Sequence, residues 1–212
     1  MADNYLGKKM EDFLAGRNAT PTKRSQPSLT KLLQRNRSHR SYDESFEVRA
    51  DQLQKIIAVN TKIPSARNQQ VLRFRPVLKT EAHKVLPHIK LGAALPHLTL
   101  PPKGSEPQAF IIICSTAEEN RWVDVDLGIS AQSMLLQAVE IGLNGICIGA
   151  FDKEAIKSNF SLTYEPLMIL AIGRGKDKIE LTEIDENQSH SYYREGETHY
   201  VPKIKLEQLI LK

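Results

Sequence analysis

Aromatic residues are scarce in this chain, 6% of the total with a single tryptophan, Trp122, and that scarcity argues against a base-stacking platform for single-stranded nucleic acid. A large excess of charge of one sign is missing too. The 29 Lys and Arg against 25 Asp and Glu leave a formal +4, too small an excess for a nucleic-acid groove. No apolar run approaches the roughly 18 residues of a membrane span. The first residues carry Lys8, Lys9, Glu11 and Asp12 where a secretory leader needs an apolar stretch, so a cytoplasmic protein with no membrane contact is the expectation. Cysteine is limited to Cys114 and Cys147, each inside an apolar run and without CxxC or Cys/His spacing. That pattern predicts two buried, reduced thiols rather than a disulfide, a metal site or a nucleophile.

Missing motifs narrow the chemistry further. There is no GxGxxG after a strand, no GxxxxGK[ST] and no GxSxG, so the Rossmann, P-loop and common hydrolase readings lack their anchors. His83, His88 and His97 lie on a helix and a Pro-rich loop without carboxylates at ligand spacing, and surface or capping roles suit them better than a metal. Asp124 and Asp126 open a long helix, where their ordinary role is to complement its dipole.

What is present suffices for one sizeable domain, since 41% hydrophobic residues in 212 can supply a real core. The expected division is an N-terminal arm with an extended connection over 1–27 and one domain over 28–212. The arm carries a short helix starting at Asp3 or Asn4, with Leu6, Met10, Phe13 and Leu14 on one side and Gly16 as its stop, a shape suited to reaching another subunit. Ser28 starts the next helix, and a second runs from about Ala50 to Asn60 with Leu53, Ile56 and Ile57 facing inward. Val71 to Leu78 reads as a partly exposed strand that Pro76 pushes to an edge. A short helix from Thr80 to about His88 leads into a loop with Pro96, Pro101, Pro102 and Gly104, a candidate pocket rim between Leu91 and Gln108. The apolar runs Ala109 to Ser115 and Pro166 to Gly173 are expected as central strands.

Between them a helix from about Val123 to Gly142, on the order of 30 Å long, carries apolar residues around most of its circumference. Such a helix must be buried on every side. One sheet covers one face, so a second layer from an identical subunit is inferred. Asn144-Gly145 turns the chain into Ile146 to Phe151, a short buried segment, and Asp152 caps a further helix.

The run Arg35-Asn36-Arg37-Ser38-His39-Arg40 places three guanidinium groups and a hydroxyl within six residues, a donor array suited to phosphate oxygens. Basic runs are most often solvated faces. Two further features share its chemistry: Lys203 and Lys205, two apart and so on one side of an extended segment, and Arg174 in Gly173-Arg174-Gly175, otherwise a simple strand-to-loop turn.

Taken in order, these segments resemble the FMN-dependent nitroreductase family. Arg37-Ser38-His39-Arg40 is similar to its early flavin-phosphate motif, although Asn36 stands where the family has a basic residue and Arg35 is the available substitute. Pro64-Ser65-Ala66-Arg67-Asn68-Gln69-Gln70 with Phe74 resembles its Pro-Ser-x-x-Asn-x-Gln loop and strand, with Val71-Leu72 in place of Pro-Trp. Asp126-Leu127-Gly128 through Gly142-Leu143 is similar to its central helix, Ile146 to Phe151 to the segment passing the flavin, and Pro202-Lys203-Ile204-Lys205 to its late basic motif.

The resemblance implies an α+β, three-layer α/β/α nitroreductase-like fold. A largely antiparallel, mixed central sheet would be flanked by helices, with the long helix at a homodimer interface and a flavin bound there by both chains. By the same carry-over Arg37, Ser38, Arg40, Lys203 and Lys205 hold the FMN phosphate and ribityl chain, Asn68 and Gln70 meet the ring or ribityl hydroxyls, Ile148 and Gly149 lie near the reactive nitrogen, and Arg174 is a further phosphate candidate. No side-chain acid, base or nucleophile is required, because the flavin carries the chemistry. NADH or NADPH would donate hydride, and a small-molecule acceptor such as a nitroaromatic or quinone would receive it. Two other readings stand beside this one: a flavin carrier, sensor or interaction module of the same fold without turnover, and a basic scaffold protein with coincidental phosphate-like motifs.

Overall fold

Residues 27–92, 95 and 97–211 are described by the computed structural model; the expected helix at the start of the arm lies outside them. Seven consecutive buried residues form β2, Ala109–Ser115, and nine form β4, Glu165–Gly173, all but two of them buried. They pair antiparallel at the centre of a four-stranded sheet, with β1, Leu72–Val77, and β3, Asn144–Ile148, at its edges in the order β1-β2-β4-β3. Pro76, which cannot donate to a ladder, sits on the edge strand β1. The expected edge and both central strands are as the sequence pattern required.

Alternation along β2 and β4 supplies two cores. Ala109, Ile111, Ile113, Leu170 and Ile172 pack with Leu53 and Ile56 of α2, Ala50–Ile57, and with Val123, Leu127, Met134 and Leu135 of α3, Arg121–Glu140. On the opposite face Phe110, Ile112, Cys114, Ile169 and Ala171 pack with Ile148, Tyr42, Val77, Val85 and Ile156 of α4, Lys153–Asn159. Helix, sheet and helix thus form three layers, an α+β architecture. Asn120 caps α3 by accepting from the backbone N–H groups of Trp122 and Val123, and Asp152 caps α4 by accepting from Ala155.

Two expectations need correction. The helix expected over Thr80 to His88 is instead two 3₁₀ segments, Lys79–Lys84 and Leu86–His88, broken at Val85. Pro87 lacks the N–H an α-helix there would need. Cys147 is exposed on β3 whereas Cys114 is buried: the neighbouring Ile146 and Ile148 turn one face of β3 into the core, and Cys147 points to the opposite face. The long helix is not covered all round within one chain: Trp122 is 51% and Val125 44% exposed, and Ile129 and Leu136 are half-buried. Those four lie within about 60° of one another on the helix, a single apolar stripe facing away from the sheet.

The sequence patterning left unrecognised a second sheet after Gly173. It comprises β5, Lys178–Ile184, β6, Tyr193–Glu195, and β7, Thr198–Ile204, in the order β5-β7-β6, with β5 and β7 parallel. The short helix α1, Leu29–Arg35, is capped by Ser28 and packs on α3 with none of its own residues fully buried.

Candidate functional site

The basic run begins where α1 stops. Asn36 donates its N–H back to Leu32 and its side-chain amide to Gln132 of α3 at 3.2 Å. The chain then extends along the head of β3, where Ser38 bridges Gly145 and His39 donates to the Gly145 carbonyl at 3.2 Å. It next passes the β4–β5 connection, where Tyr42 bridges Gly175 and Lys176 donates to the Ser41 carbonyl at 3.0 Å. Two glycines make that passage possible. A Cβ on Gly173 would meet the Tyr42 ring at 2.7 Å, and one on Gly175 would meet the His39 imidazole at 2.1 Å.

Arg37 is half-buried and donates through Nη2 to the Leu33 carbonyl at the C-terminus of α1, a favourable end for a cation. Burial holds its pKa below the usual arginine value, and its Nε has no partner. Ser38 is exposed. Arg40 turns towards the second sheet: Nη1 donates to the Ser38 carbonyl at 3.1 Å and faces His199 Nε2 at 3.3 Å, while the guanidinium lies 4.6 Å from the centre of the Tyr192 ring. Its Nε is also buried without a partner. Such orphaned cationic donors are costly unless a ligand meets them.

Asp177, just ahead of β5, is the residue these contacts converge on. Its side chain is 6% exposed. Oδ2 accepts from the backbone N–H groups of Arg40 at 2.6 Å and Ser41 at 2.9 Å, and Oδ1 accepts from Arg194 Nη2 at 3.2 Å. His39 Nδ1 lies 3.8 Å away. Burial lowers the pKa of His39 against the opposing pull of Asp177, and burial followed by Arg40 lowers that of His199. The unfolded chain therefore binds protons at these sites before the folded one does. Their stabilising contribution is complete above the ordinary histidine value of about 6.5 and is lost as pH falls through it towards the lowered folded values. Urea midpoints should drop between pH 7.5 and 5.5, and the drop should shrink in the His199→Gln variant; an undiminished drop in that variant would assign the effect elsewhere.

The second part of the site is the loop from Pro64 to Gln70. Arg67, Asn68 and Gln70 adopt positive φ of 53°, 54° and 47°, an unusual density of left-handed non-glycine residues, each costing on the order of 1–3 kcal/mol. Asp126 of α3 holds the loop: its buried carboxylate accepts from Ala66 N at 2.7 Å and Gln69 Nε2 at 2.9 Å. Its role is therefore to anchor the loop, not the dipole role expected from its position. Asn68 and Gln70 are exposed, and Gln70 borders a cleft of about 360 Å³ with Ser65, Phe74, Asp126 and Ser130. Asp126 and Gln132 dock the loop and the basic run on one helix, about 9 Å apart along its axis.

The remaining sequence candidates separate. The Ile148 side chain is buried in the core beneath β3, while Gly149 is exposed with nothing within 4 Å of where a Cβ would stand. Arg174 stacks over Phe46 at 4.1 Å and pairs with Asp43 at 3.7 Å. Lys203 is exposed on β7, and Lys205 pairs with Asp185 at 3.0 Å. These lysines lie about 13 and 20 Å along an extended strand from His199, the β7 residue that Arg40 reaches. One chain thus brings together Arg37, Ser38 and Arg40, and separately Asn68 and Gln70, but not the late lysines with the early arginines. Sequence reasoning passed over Asp177, Arg194 and His199; a lone acid between Lys176 and Lys178 was their one signal. Among the described residues no three His, Cys, Asp or Glu side chains gather as a metal site, and no helix is long and apolar enough to cross a membrane.

Residues 100–174 match the sequence model of the Nitroreductase family. No curated protein sequence matches the chain. Among solved structures, a nitroreductase family protein from Clostridium novyi NT is similar with a TM-score of 0.59 at 17% identity, over 71% of this chain and 87% of that one. A provisionally assigned nitroreductase in complex with FMN, from Exiguobacterium sibiricum 255-15, gives 0.58 at 18% identity over 71% and 90%. A provisionally assigned NAD(P)H:FMN oxidoreductase from Staphylococcus epidermidis ATCC 12228 gives 0.56 at 20% over 73% and 92%. The chain has the nitroreductase fold, and its residues 100–174 carry the sequence pattern of the Nitroreductase family.

Proposed function

We propose that the chain binds FMN and is an NAD(P)H-dependent oxidoreductase that reduces nitroaromatics, quinones or similar small acceptors. The observation that carries this reading is the pairing of a phosphate-competent basic run with the strained Pro64–Gln70 loop, both docked on α3. The residues fit the cofactor's chemistry. Arg37 and Arg40 each keep an unpartnered buried Nε for an anion, Asn68 and Gln70 offer exposed amides, and Gly149 leaves open space for close approach of a planar ring. Bound FMN would supply the hydride and electron chemistry.

The chain's own residues bind and orient. Arg37, Ser38 and Arg40 would hold the phosphate end, with Lys203 and Lys205 arriving from the partner subunit of a homodimer, since they lie far from these arginines within one chain. Arg174, spent on Asp43 and Phe46, is the weakest of the phosphate candidates. A non-catalytic flavin-binding protein of the same fold is the alternative, and one experiment divides the two. Protein loaded with FMN and mixed anaerobically with NADH or NADPH should lose its oxidised-flavin absorbance band with at least one donor, and an acceptor should restore it. A band that persists with both donors sinks the reductase reading and leaves the carrier.

A further inference from the structure

We infer that Asp177 is the positioning residue of the phosphate-binding segment, a role that rests on the FMN reading above. A carboxylate beside an anion site is at first sight misplaced, because its charge repels the ligand. Its contacts resolve the paradox. Oδ2 takes the two successive backbone N–H groups of Arg40 and Ser41, which fixes the chain direction from which Arg40 projects. Oδ1 takes Arg194 Nη2 from β6, and so ties the basic run to the second sheet. Arg40, held between the Ser38 carbonyl, His199 and the Tyr192 ring, keeps Nε as its one buried donor without a partner.

Charge accounting points the same way. Arg37, Arg40 and Arg194 place three positive charges around the basic run and Asp177 removes one, so the segment stays net positive with the carboxylate present, before Lys203 and Lys205 are added. Without Asp177 the Arg40 and Ser41 backbone N–H groups and the Arg194 guanidinium would lose the acceptor they share. The carboxylate therefore sets geometry at a cost in raw attraction, and those two effects have opposite signs.

The test uses that opposition. Affinities of wild type, Asp177→Ala and Asp177→Asn for FMN and for riboflavin, which lacks the phosphate, are measured by flavin fluorescence quenching, with thermal melts as a control on folding. Positioning predicts FMN affinity roughly tenfold or more weaker in Asp177→Ala, an intermediate value in Asp177→Asn, which keeps an acceptor oxygen, and riboflavin affinity unchanged in both. If the carboxylate acts only as a charge, both variants bind FMN more tightly, and the proposal falls. Equal losses for FMN and riboflavin would also overturn it, by revealing general disruption. Should the alanine variant fail to fold, the asparagine variant still decides through the FMN-to-riboflavin ratio. Wild-type protein that binds neither flavin removes the FMN reading and this role together, whereas normal wild-type binding with unchanged variants removes this role alone.

Discussion

Replacing Gly145 with alanine should destabilise the protein by about 3 kcal/mol, the upper part of the range for overpacking a well-filled core. The reason is specific to its position on β3. A Cβ there would stand 2.6 Å from the Ala171 carbonyl oxygen, 2.6 Å from Leu135 Cδ2 and 3.1 Å from Ile172 Cδ1. Leu135 could shift its rotamer, but the Ala171 oxygen belongs to the backbone of β4 and cannot retreat without loosening the β3–β4 ladder. The consequence extends to the site, because Ser38 and His39 lean on the same glycine through the bridge and the hydrogen bond to its carbonyl. Thermal unfolding followed by circular dichroism should show a midpoint lowered by roughly 6–12 °C, accompanied by weaker FMN binding. An unchanged midpoint would mean that α3 and β4 have slack which their packing does not show.

That crowding marks the boundary of what could be read from the sequence. The strands β2 and β4 were legible as continuous apolar runs and the helix α3 as a long segment dense in apolar residues; expected and observed limits agree within two residues. The second sheet was not. Its strand β5, Lys-Ile-Glu-Leu-Thr-Glu-Ile, has no fully buried position, so no hydrophobic run announces it, and its partner β7 is 20 residues further on. The 3₁₀ segments around Pro87 failed for another reason: the apolar residues Ala82 and Val85 are spaced as in a helix, and only backbone hydrogen bonding separates 3₁₀ from α.

Within the site, residue types were legible and their partners were not. Arg37, Ser38 and Arg40 stand out by density of charge, and Asn68 and Gln70 by the motif around them. Asp126 looked like an ordinary dipole partner because its true partners, Ala66 and Gln69, lie about 60 positions earlier. Gly173-Arg174-Gly175 looked like a plain turn, yet its glycines leave room for the rings of Tyr42 and His39. Periodicity sees neighbours along an element; it does not see a carboxylate 137 residues away taking the N–H of Arg40.

Introducing glutamate at Val125 should convert the proposed homodimer to monomer. Apolar residues surround α3, but one chain buries only the side that carries Val123, Leu127, Met134 and Leu135. Trp122, Val125, Ile129 and Leu136 form a stripe on the outer side, two of them exposed and two half-buried, and an aromatic anchor beside aliphatic residues is the composition of an interface core. A charge buried there without a partner costs about 3–5 kcal/mol, roughly 150-fold to 5,000-fold in the dissociation constant. Because Val125 is exposed within the single chain, the same substitution should leave the monomer's own folding nearly untouched, which separates loss of association from loss of structure. Sedimentation velocity over a concentration series reads the first, and far-UV circular dichroism reads the second. FMN affinity should fall with the dimer, since Lys203 and Lys205 can meet Arg37 and Arg40 only across two chains if they meet them at all. A Val125→Glu protein that stays dimeric with an unchanged constant would move the interface off this helix and leave the late lysines without a route to the phosphate.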